Sequence, residues 1–345
     1  MERSIYQFEQ FGHIAADRAR TPVGASSAAR GGQAVRVGVI LNRRSHQNLA
    51  ETRECEDRSN VTVSCPDTRL GIAHELARFA ENGIDLLVIS GGDGTVRDVL
   101  TMGQPIFGEN WPRIAVLPKG KTNALNVDLG SPDDWTLSQA IDAYRSGRRV
   151  KRRPLAVRAA GTKEPAMLGF IFGAGAFTLG VDAGQDAHKI GFFNSLAVGM
   201  TSAWGVLQAL FGSDANRWRR GAAMDLSELP SGKALPHSGH GDPARRNVLL
   251  ASTLHKMPLG LKLFGKDQEG VRMLVMDRPR RRILFSAPAI VAGWHPRWLA
   301  RAGLHQFASE GFKITLDSPF ILDGEHFAPG SYTVEQGPEL TFIAG

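Results

Sequence analysis

The fold is decided by the stretch at residues 84–100, which reads IDLLVISGGDGTVRDVL. Its apolar run Leu86–Ile89 is short and partly β-branched, which is typical of a strand buried on both faces of a parallel sheet. After the glycines, Val96, Val99 and Leu100 recur at helical spacing. The stretch therefore predicts a strand, a glycine turn and a helix.

The glycine turn is suited to binding an anion. Gly91, Gly92 and Gly94 have no Cβ, so backbone N–H groups can surround phosphate oxygens next to the positive end of the helix dipole. Thr95 is predicted to cap that helix. Asp93 fits among these amides if a divalent cation lies between its carboxylate and the phosphates. The alternative interpretation is an ordinary tight turn between a strand and a helix.

Two further turns are expected beside this one. The predicted strand Ile114–Leu117 is followed by PKGKTNAL at residues 118–125, which contains a glycine and two lysines. An earlier predicted strand, Val35–Leu41, is followed by the polar turn at residues 42–45. Because ligands of open α/β sheets bind at the carboxyl ends of the strands, the three turns predict one anion site.

The strand and helix pattern changes after residue 153. Before it, strands alternate with amphipathic helices, which predicts right-handed parallel crossovers in an α/β sheet. After it, short strands predominate and predict a second, β-rich domain. The predicted strands are Leu155–Ala159, Met167–Phe172, Val248–Ser252, Val271–Met276, Ile283–Ser286, Phe312–Leu316 and Tyr332–Val334.

The composition of the chain indicates which kinds of molecule it binds and where in the cell it is found. The 345 residues include 41 Lys and Arg against 34 Asp and Glu, and the net charge of +7 favours anionic partners such as nucleotides, nucleic acids or acidic lipids. Cys55 and Cys65 match no metal-binding spacing and are too few for a disulfide framework, so a reducing cytosol is expected. Residues 1–34 lack an apolar run of signal-peptide length and are expected to be poorly ordered. The uncharged stretch Ile190–Phe211 is long enough to span a membrane, but its polar residues favour a half-buried helix or a membrane-contacting surface.

Three motifs in order give the chain a family resemblance. They are GGDGT at residues 91–95, LPKG at residues 117–120 followed by Asn123, and LDGE at residues 322–325. With them the chain resembles the diacylglycerol kinase catalytic family, which includes bacterial lipid kinases, sphingosine kinases and ceramide kinases. The resemblance extends over residues 35–345.

This resemblance implies a fold and a division into domains. The expected architecture is α/β, with a nucleotide domain like that of NAD kinase and phosphofructokinase, followed by a β-sandwich lipid-binding domain. On that basis residues 1–34 form an extension, residues 35–153 the nucleotide-binding domain and residues 154–327 the lipid-substrate domain. The tail, residues 328–345, is expected to return to the nucleotide domain.

The resemblance also implies the residues of the active site. Members transfer the γ-phosphate of ATP, with Mg²⁺, to a lipid hydroxyl. Glu325 resembles the family's proton acceptor, Asp323 completes that motif, and Asp93 is expected to be catalytic and a metal ligand. Glu269 precedes Gly270 and resembles an Asp-Gly pair that binds Mg²⁺ outside the reaction centre. The expected ATP-binding residues are Asn42, Ser45, Gly91, Gly92, Asp93, Gly94, Thr95, Lys119, Gly120, Lys121, Thr122 and Asn123.

The chain departs from the family pattern in ways that bear on the substrate. Ala124 stands where a carboxylate is usual, and Arg97-Asp98 replaces the usual Asn-Glu. The sequence Asn123-Ala124-Leu125 is closer to that of sphingosine kinases, which favours a sphingolipid acceptor.

The predicted function is therefore an ATP-dependent lipid kinase acting on a primary hydroxyl, with ceramide or a sphingoid base favoured over diacylglycerol. The alternatives are a diacylglycerol kinase and a non-catalytic lipid-binding pseudokinase. A P-loop NTPase is excluded because its loop needs glycine where Ala115 stands. For Glu325, the alternative interpretation is a solvated hairpin residue, because Asp-Gly is itself a turn signal.

The expected location is cytoplasmic, with peripheral attachment to an anionic membrane through the arginine groups at residues 148–153, 217–220 and 278–282. A nucleic acid partner is not expected.

Overall fold

The computed structural model describes residues 34–42, 59–162, 165–189, 216–265 and 269–345. In these residues the strands are β1 (Val37–Leu41), β2 (Val61–Ser64), β3 (Leu86–Gly91), β4 (Arg113–Pro118), β5 (Arg148–Arg152), β6 (Leu155–Ala159), β7 (Met167–Gly169), β8 (Ile171–Gly175), β9 (Ala222–Leu229), β10 (Arg245–Arg246), β11 (Val248–Ser252), β12 (Val271–Met276), β13 (Leu304–Ser309), β14 (Gly311–Leu316), β15 (Phe320–Leu322), β16 (Glu325–Phe327), β17 (Gly330–Gln336) and β18 (Leu340–Ala344). The α-helices are α1 (Arg69–Glu81), α2 (Asp93–Phe107), α3 (Ala124–Leu129), α4 (Leu137–Ser146), α5 (Ala176–Lys189), α6 (Arg217–Arg220), α7 (Arg281–Val291) and α8 (Trp298–Ala302).

The first sheet is mainly parallel and has helices on both faces. Its strand order is β2-β1-β3-β4-β18-β5, and only β5 runs antiparallel to its neighbour. The central strand β3 is buried along its whole length, as predicted, because α1 and α2 cover one face and α4 covers the other. This arrangement explains the continuous apolar run: no residue of such a strand faces water.

Two antiparallel sheets make up most of the remaining chain. Their strand orders are β10-β9-β14-β17-β6-β7 and β13-β12-β11-β8-β15-β16. Buried aromatic side chains join the two sheets, since the rings of Phe172 and Phe312 lie 5.9 Å apart and those of Phe320 and Tyr332 lie 4.8 Å apart. The chain then leaves β17 in one of these sheets and places β18 in the first sheet, between β4 and β5.

One predicted strand is wrong. The run Ile283–Ser286 lies within helix α7, whose buried residues Ile283 and Ile290 are seven positions apart and therefore on one helical face. A short apolar run does not distinguish a strand from the buried side of a helix, so the pattern was ambiguous. The strands that were not predicted are β5, β9, β10, β13, β15, β16 and β18.

None of the helices in the described ranges is long and apolar enough to cross a membrane. The uncharged stretch Ile190–Phe211 lies outside the described residues, as do residues 1–33 of the predicted extension.

Candidate active site

The two glycine turns pack against each other at the carboxyl edge of the first sheet. Strand β3 ends at Gly91 and β4 ends at Pro118, and these two residues are paired in the sheet register. A Cβ atom on Gly120 would lie 2.5 Å from the Cα atom of Gly92, and the Lys119 N–H donates to the Gly91 carbonyl at 3.2 Å. The turns therefore approach backbone to backbone, which only glycine at both positions permits.

The turn after β1 reaches the same edge. The Asn42 backbone N–H donates to the Ser90 carbonyl at 3.1 Å, and its side-chain amide donates to the Thr95 hydroxyl at 2.8 Å. The prediction that Thr95 caps the helix is wrong: α2 begins at Asp93 with Gly92 as its N-cap, so Thr95 lies within the first turn and binds Asn42 instead. The predicted nucleotide residue Ser45 lies outside the described residues.

Asp93 links the first glycine turn to helix α3. Its carboxylate accepts hydrogen bonds from the backbone N–H groups of Ala124 at 3.1 Å and Leu125 at 3.4 Å. Burial raises the pKa of Asp93, although these amide hydrogen bonds lower it. The carboxylate thus fixes the position of α3 relative to the turn, and Ala124 contributes through its backbone rather than its side chain.

Asn123 closes the second glycine turn. It adopts a left-handed conformation with φ of 48°, which Asn tolerates better than most residues. Its side chain accepts from the Gly120 N–H at 2.8 Å and donates to the Gly120 carbonyl at 3.0 Å. The neighbouring side chains of Lys121 and Thr122 are exposed at the mouth of this edge.

The Asp-Gly pair of the last motif forms a tight hairpin between β15 and β16. Asp323 and Gly324 have φ of 45° and 81°, as a two-residue hairpin with positive φ at both central positions requires. The Asp323 carboxylate accepts from the backbone N–H groups of Phe170 at 3.0 Å and Ile171 at 2.9 Å. These bonds hold the hairpin against the strand pair β7 and β8.

The surroundings of Asp323 shift the pKa of its carboxyl group. Burial, and then the negative charge of the Asp93 carboxylate, raise its pKa to about 7, while Arg97 opposes them. Arg97, in the helix that begins at the first glycine turn, donates to the Leu322 carbonyl, so the last motif of the chain lies close to that turn. A carboxyl group with a pKa near neutrality can both take up and release a proton at physiological pH.

Glu325 is held by two arginines from the first part of the chain. Arg69 Nη2 lies 2.8 Å and 2.7 Å from its two carboxylate oxygens, and Arg97 also donates to one of them. The Arg97 side chain is only 4% exposed and donates to the Leu322 carbonyl at 3.0 Å. Asp98 accepts hydrogen bonds from Arg97, forms an ion pair with Arg69 at 3.2 Å, and completes the network. The solvated-hairpin interpretation of Glu325 does not hold, because the side chain is part of an ion-pair network.

The structure thus brings most predicted site residues together. Asn42, the turn at 91–95 and the turn at 119–123 share one edge of the first sheet, and Asp323 and Glu325 adjoin it through Asp93 and Arg97. Arg69 was missed, because a single arginine at the start of an amphipathic helix carries no signal in the sequence.

Glu269 lies outside the site formed by the glycine turns and the Asp323-Gly324 hairpin. It lines a separate cavity together with Lys151, Arg152, Arg153 and Arg272. Among the described residues, no group of three or more His, Cys, Asp or Glu side chains is placed to hold a metal ion. The prediction that Glu269 binds a metal gains no support from these neighbours.

Comparison with known proteins gives a family match for part of the sequence. Residues 36–155 match the model of the diacylglycerol kinase catalytic domain. No curated protein sequence matches the chain. The match confirms the predicted resemblance to that family and the predicted enzyme class, a lipid kinase.

Solved structures show the same fold over nearly the whole chain. A crystal structure of a diacylglycerol kinase from Bacillus anthracis str. Sterne superimposes with a TM-score of 0.55 at 13% identity, covering 90% of this chain and 97% of the other. A second structure from that organism, provisionally described as a diacylglycerol kinase, gives a TM-score of 0.58 at 15% identity with the same coverage. These likenesses establish a mixed α/β fold with a parallel sheet.

Proposed function

We propose that this lipid kinase transfers the γ-phosphate of ATP to a primary hydroxyl of a membrane lipid, at the edge where its two glycine turns meet. The observation that carries the proposal is the ion-pair network joining Glu325 to Arg69 and Arg97. It places the Asp323-Gly324-Glu325 hairpin, which comes from the β-rich part of the chain, beside the glycine turn of the first sheet. A phosphoryl donor and an acceptor hydroxyl need such a shared site.

The glycine turns supply the nucleotide-binding part of the site. The N–H groups of Thr95, Lys119 and Gly120 are already bonded within the turns, so the phosphate oxygens are proposed to bind the other N–H groups of these turns. Helix α2 begins at the first turn with its positive dipole end. Lys119 and Lys121 add positive charge at the same edge. Asn42 positions the first turn through its hydrogen bond to Thr95.

The reaction forms one bond between the acceptor oxygen and the γ-phosphorus and breaks the bond from that phosphorus to the β-phosphate oxygen, so ADP leaves. The hydroxyl proton passes to a carboxylate of the hairpin. We assign this role to Glu325, with Asp323 as the neighbouring carboxyl group whose raised pKa allows it to hold a proton. Both Glu325 oxygens already accept hydrogen bonds from Arg69, so the acceptor hydroxyl must join or exchange one of them.

The family resemblance implies Mg²⁺ as well as ATP. Asp93 begins helix α2 at the first glycine turn, and a carboxylate together with substrate phosphates forms the kind of oxygen ligand set that Mg²⁺ takes in kinases. When bound, the ion would neutralise negative charge on the phosphates. Asp93→Asn tests this role: we expect a strongly weakened dependence of ATP turnover on Mg²⁺ concentration, and an unchanged dependence would remove Asp93 from the metal site.

The acceptor is proposed to be ceramide or a sphingoid base in preference to diacylglycerol. The argument is the sequence Asn123-Ala124-Leu125 and its similarity to sphingosine kinases. All of these lipids offer a primary hydroxyl, so discrimination must come from the polar groups beside it, because a site built to bind one set leaves buried groups unpaired with another. We expect at least a roughly tenfold preference in kcat/KM for one backbone class.

The two antiparallel sheets are proposed to form a β-sandwich that holds the lipid, and the first sheet a nucleotide domain similar to that of NAD kinase. Helix α7 is the proposed membrane contact of the lipid part. Its Phe285 is 70% exposed, the nearby Trp294 is 49% exposed, and Arg281 lies one turn before Phe285. Aromatic and cationic side chains together suit the headgroup region of an anionic bilayer.

A phosphate-transfer assay tests the function. Radiolabelled ATP is supplied with mixed micelles of ceramide, sphingosine or diacylglycerol, and Glu325→Gln serves as the inactive control. Label chiefly in ceramide 1-phosphate or sphingosine phosphate supports the full proposal. Label chiefly in phosphatidic acid supports the lipid kinase and rejects the sphingolipid preference. No transfer to any lipid by protein that binds ATP and micelles would favour the pseudokinase.

Flotation with liposomes tests the membrane contact. Binding to anionic vesicles is expected to fall as salt rises, because charge attraction is screened. Phe285→Ser should weaken it further, whereas Leu70→Ser, at an exposed position on α1, should not. Retention through high salt and alkaline carbonate would instead indicate an integral segment.

A further inference from the structure

A cationic cavity lies where the three sheets meet, on a part of the molecule that the proposed reaction does not use. Its volume is about 680 Å³. Lys151 and Arg152 come from the edge strand β5, Thr253 follows β11, and Arg272 lies in β12. The segment between β17 and β18 closes another side through Glu339.

The lining carries excess positive charge. Four of its side chains are permanent cations, Lys151, Arg152, Arg153 and Arg272, against two carboxylates, Glu269 and Glu339. Glu339 is exposed and pairs with Lys151 at 2.6 Å. A divalent cation does not fit this lining among the described residues, because the cations outnumber the carboxylates.

Two buried polar groups of the cavity have no hydrogen-bond partner among the described residues, although the Arg272 guanidinium lies over the Phe264 ring. Thr253 is 6% exposed, and its hydroxyl oxygen makes no hydrogen bond. Arg272 Nη2 is likewise buried and makes none. Leaving such groups unpaired is unfavourable, and more so for charged groups, so two unpaired donors in the lining of one cavity indicate a ligand that accepts hydrogen bonds.

The two guanidinium groups also repel each other. Arg152 is paired with the buried carboxylate of Asp128 at 2.5 Å, which leaves Arg272 beside a cation that is already partnered. Burial is the main cause that lowers the pKa of Arg272; Asp128 opposes it, and Arg152, a smaller contribution than Asp128, lowers it further. The same two causes, burial first and then Arg152, lower the pKa of His255 on the rim. An anion between the arginines would relieve this repulsion.

We propose that the cavity between Arg152 and Arg272 binds a phosphate group, either inorganic phosphate or the phosphomonoester headgroup of a lipid. Guanidinium groups bind phosphate oxygens through paired hydrogen bonds, and the Thr253 hydroxyl supplies a further donor. The lipid source rests on the proposed function, because such a kinase makes phosphomonoester lipids. The phosphate site itself does not rest on it.

Binding of inorganic phosphate by the full chain tests the site directly. Titration calorimetry at constant ionic strength is run on the wild type, Thr253→Val, Arg272→Gln and the matched control Arg301→Gln, an exposed arginine on α8. We expect each of the first two variants to weaken phosphate binding at least about tenfold and the control to leave it unchanged. Circular dichroism checks that each variant is folded. If either Thr253→Val or Arg272→Gln fails to fold, the other variant still tests the site.

Phosphate could also occupy the glycine turns, so Gly120→Ala is titrated in parallel. Binding that survives Gly120→Ala and is weakened in Thr253→Val and Arg272→Gln supports the proposal. Binding that is lost in Gly120→Ala but kept in the other two variants overturns the proposal. A wild-type protein that binds neither inorganic phosphate nor vesicles containing phosphatidic acid also overturns it.

Vesicles distinguish the two sources. Flotation compares phosphatidylcholine vesicles containing phosphatidic acid with vesicles of equal surface charge containing phosphatidylserine. A preference for phosphatidic acid that Arg272→Gln abolishes supports the lipid headgroup. Phosphate binding in solution without that preference supports the free ion. These readouts need no turnover, so failure of the kinase proposal and failure of the phosphate site are separable.

Discussion

Glu325 and Arg69 are 256 positions apart in the sequence, yet a carboxylate oxygen of one lies 2.7 Å from the guanidinium of the other. Arg69 begins α1, next to the first sheet, and Glu325 begins β16 in an antiparallel sheet. This pair, together with the buried Arg97, fixes the orientation of the proposed base relative to the glycine turn.

Replacing Arg69 tests this positioning role. We expect Arg69→Gln to lower kcat about tenfold with little change in the KM for ATP, because the nucleotide turns are untouched while the Glu325 carboxylate loses one of its donors. Arg69→Lys should restore part of the activity. The matched control is Arg78→Gln on the same helix, whose partner Glu75 is not in the site. Equal effects of Arg69→Gln and Arg78→Gln would contradict the role.

Replacing Glu325 tests the base itself. Glu325→Gln keeps the shape of the side chain but removes its capacity to take a proton, so we expect kcat to fall about 10²- to 10⁴-fold. Glu335→Gln, an exposed position on β17, serves as the control and should retain activity. A near wild-type kcat for Glu325→Gln would shift the role of base to Asp323.

The raised pKa of Asp323 predicts a pH dependence of stability. Its pKa is about 7 in the folded protein against an ordinary value of 3.8. Between these values the unfolded chain has released the proton and the folded protein has kept it, so this group makes the free energy of unfolding fall as pH rises from about 4 to about 7. Below that window the contribution is fully present.

Asp323→Asn should remove this contribution while keeping an oxygen that accepts from the Phe170 and Ile171 amides. Urea unfolding at pH 5 and pH 8 measures it. The wild type should lose more stability between the two values than the variant does, and parallel losses would show that Asp323 does not titrate in this window.

The sequence was sufficient for the parts of the fold that depend on local patterns. The apolar run Leu86–Ile89 identified a fully buried strand because both faces of β3 are covered, and the glycines identified the turn because it needs backbone without Cβ. The helix α7 was misread as a strand because four apolar residues do not define a period.

The contacts that complete the site could not be predicted from local sequence patterns. Arg69 and Arg97 meet Glu325 only because β16 is placed beside α1 and α2 by the tertiary fold, and nothing near Arg69 in the sequence indicates it. The same holds for Asp93, whose carboxylate binds amides of α3 across the edge of the sheet. The cavity between Arg152 and Arg272 likewise joins residues from different sheets, so the basic run at 148–153 indicated only a charged surface.

The last prediction concerns the contact between the two glycine turns. A Cβ on Gly120 would lie 2.5 Å from Gly92 Cα and 2.9 Å from the Asn123 side-chain oxygen, and both neighbours are held by the turns themselves. Gly120→Ala must therefore push the turns apart, at a cost of about 1–3 kcal/mol in the free energy of unfolding. Since both turns supply amides to the proposed nucleotide site, we expect the KM for ATP to rise at least about tenfold while the affinity for lipid micelles stays unchanged. Gly180→Ala is the matched control, because none of the described residues lies within 4 Å of its added methyl group. Steady-state kinetics against ATP and urea unfolding measure both effects, and a Gly120→Ala protein with the ATP affinity of the control would show that the close approach of the turns is not needed for nucleotide binding.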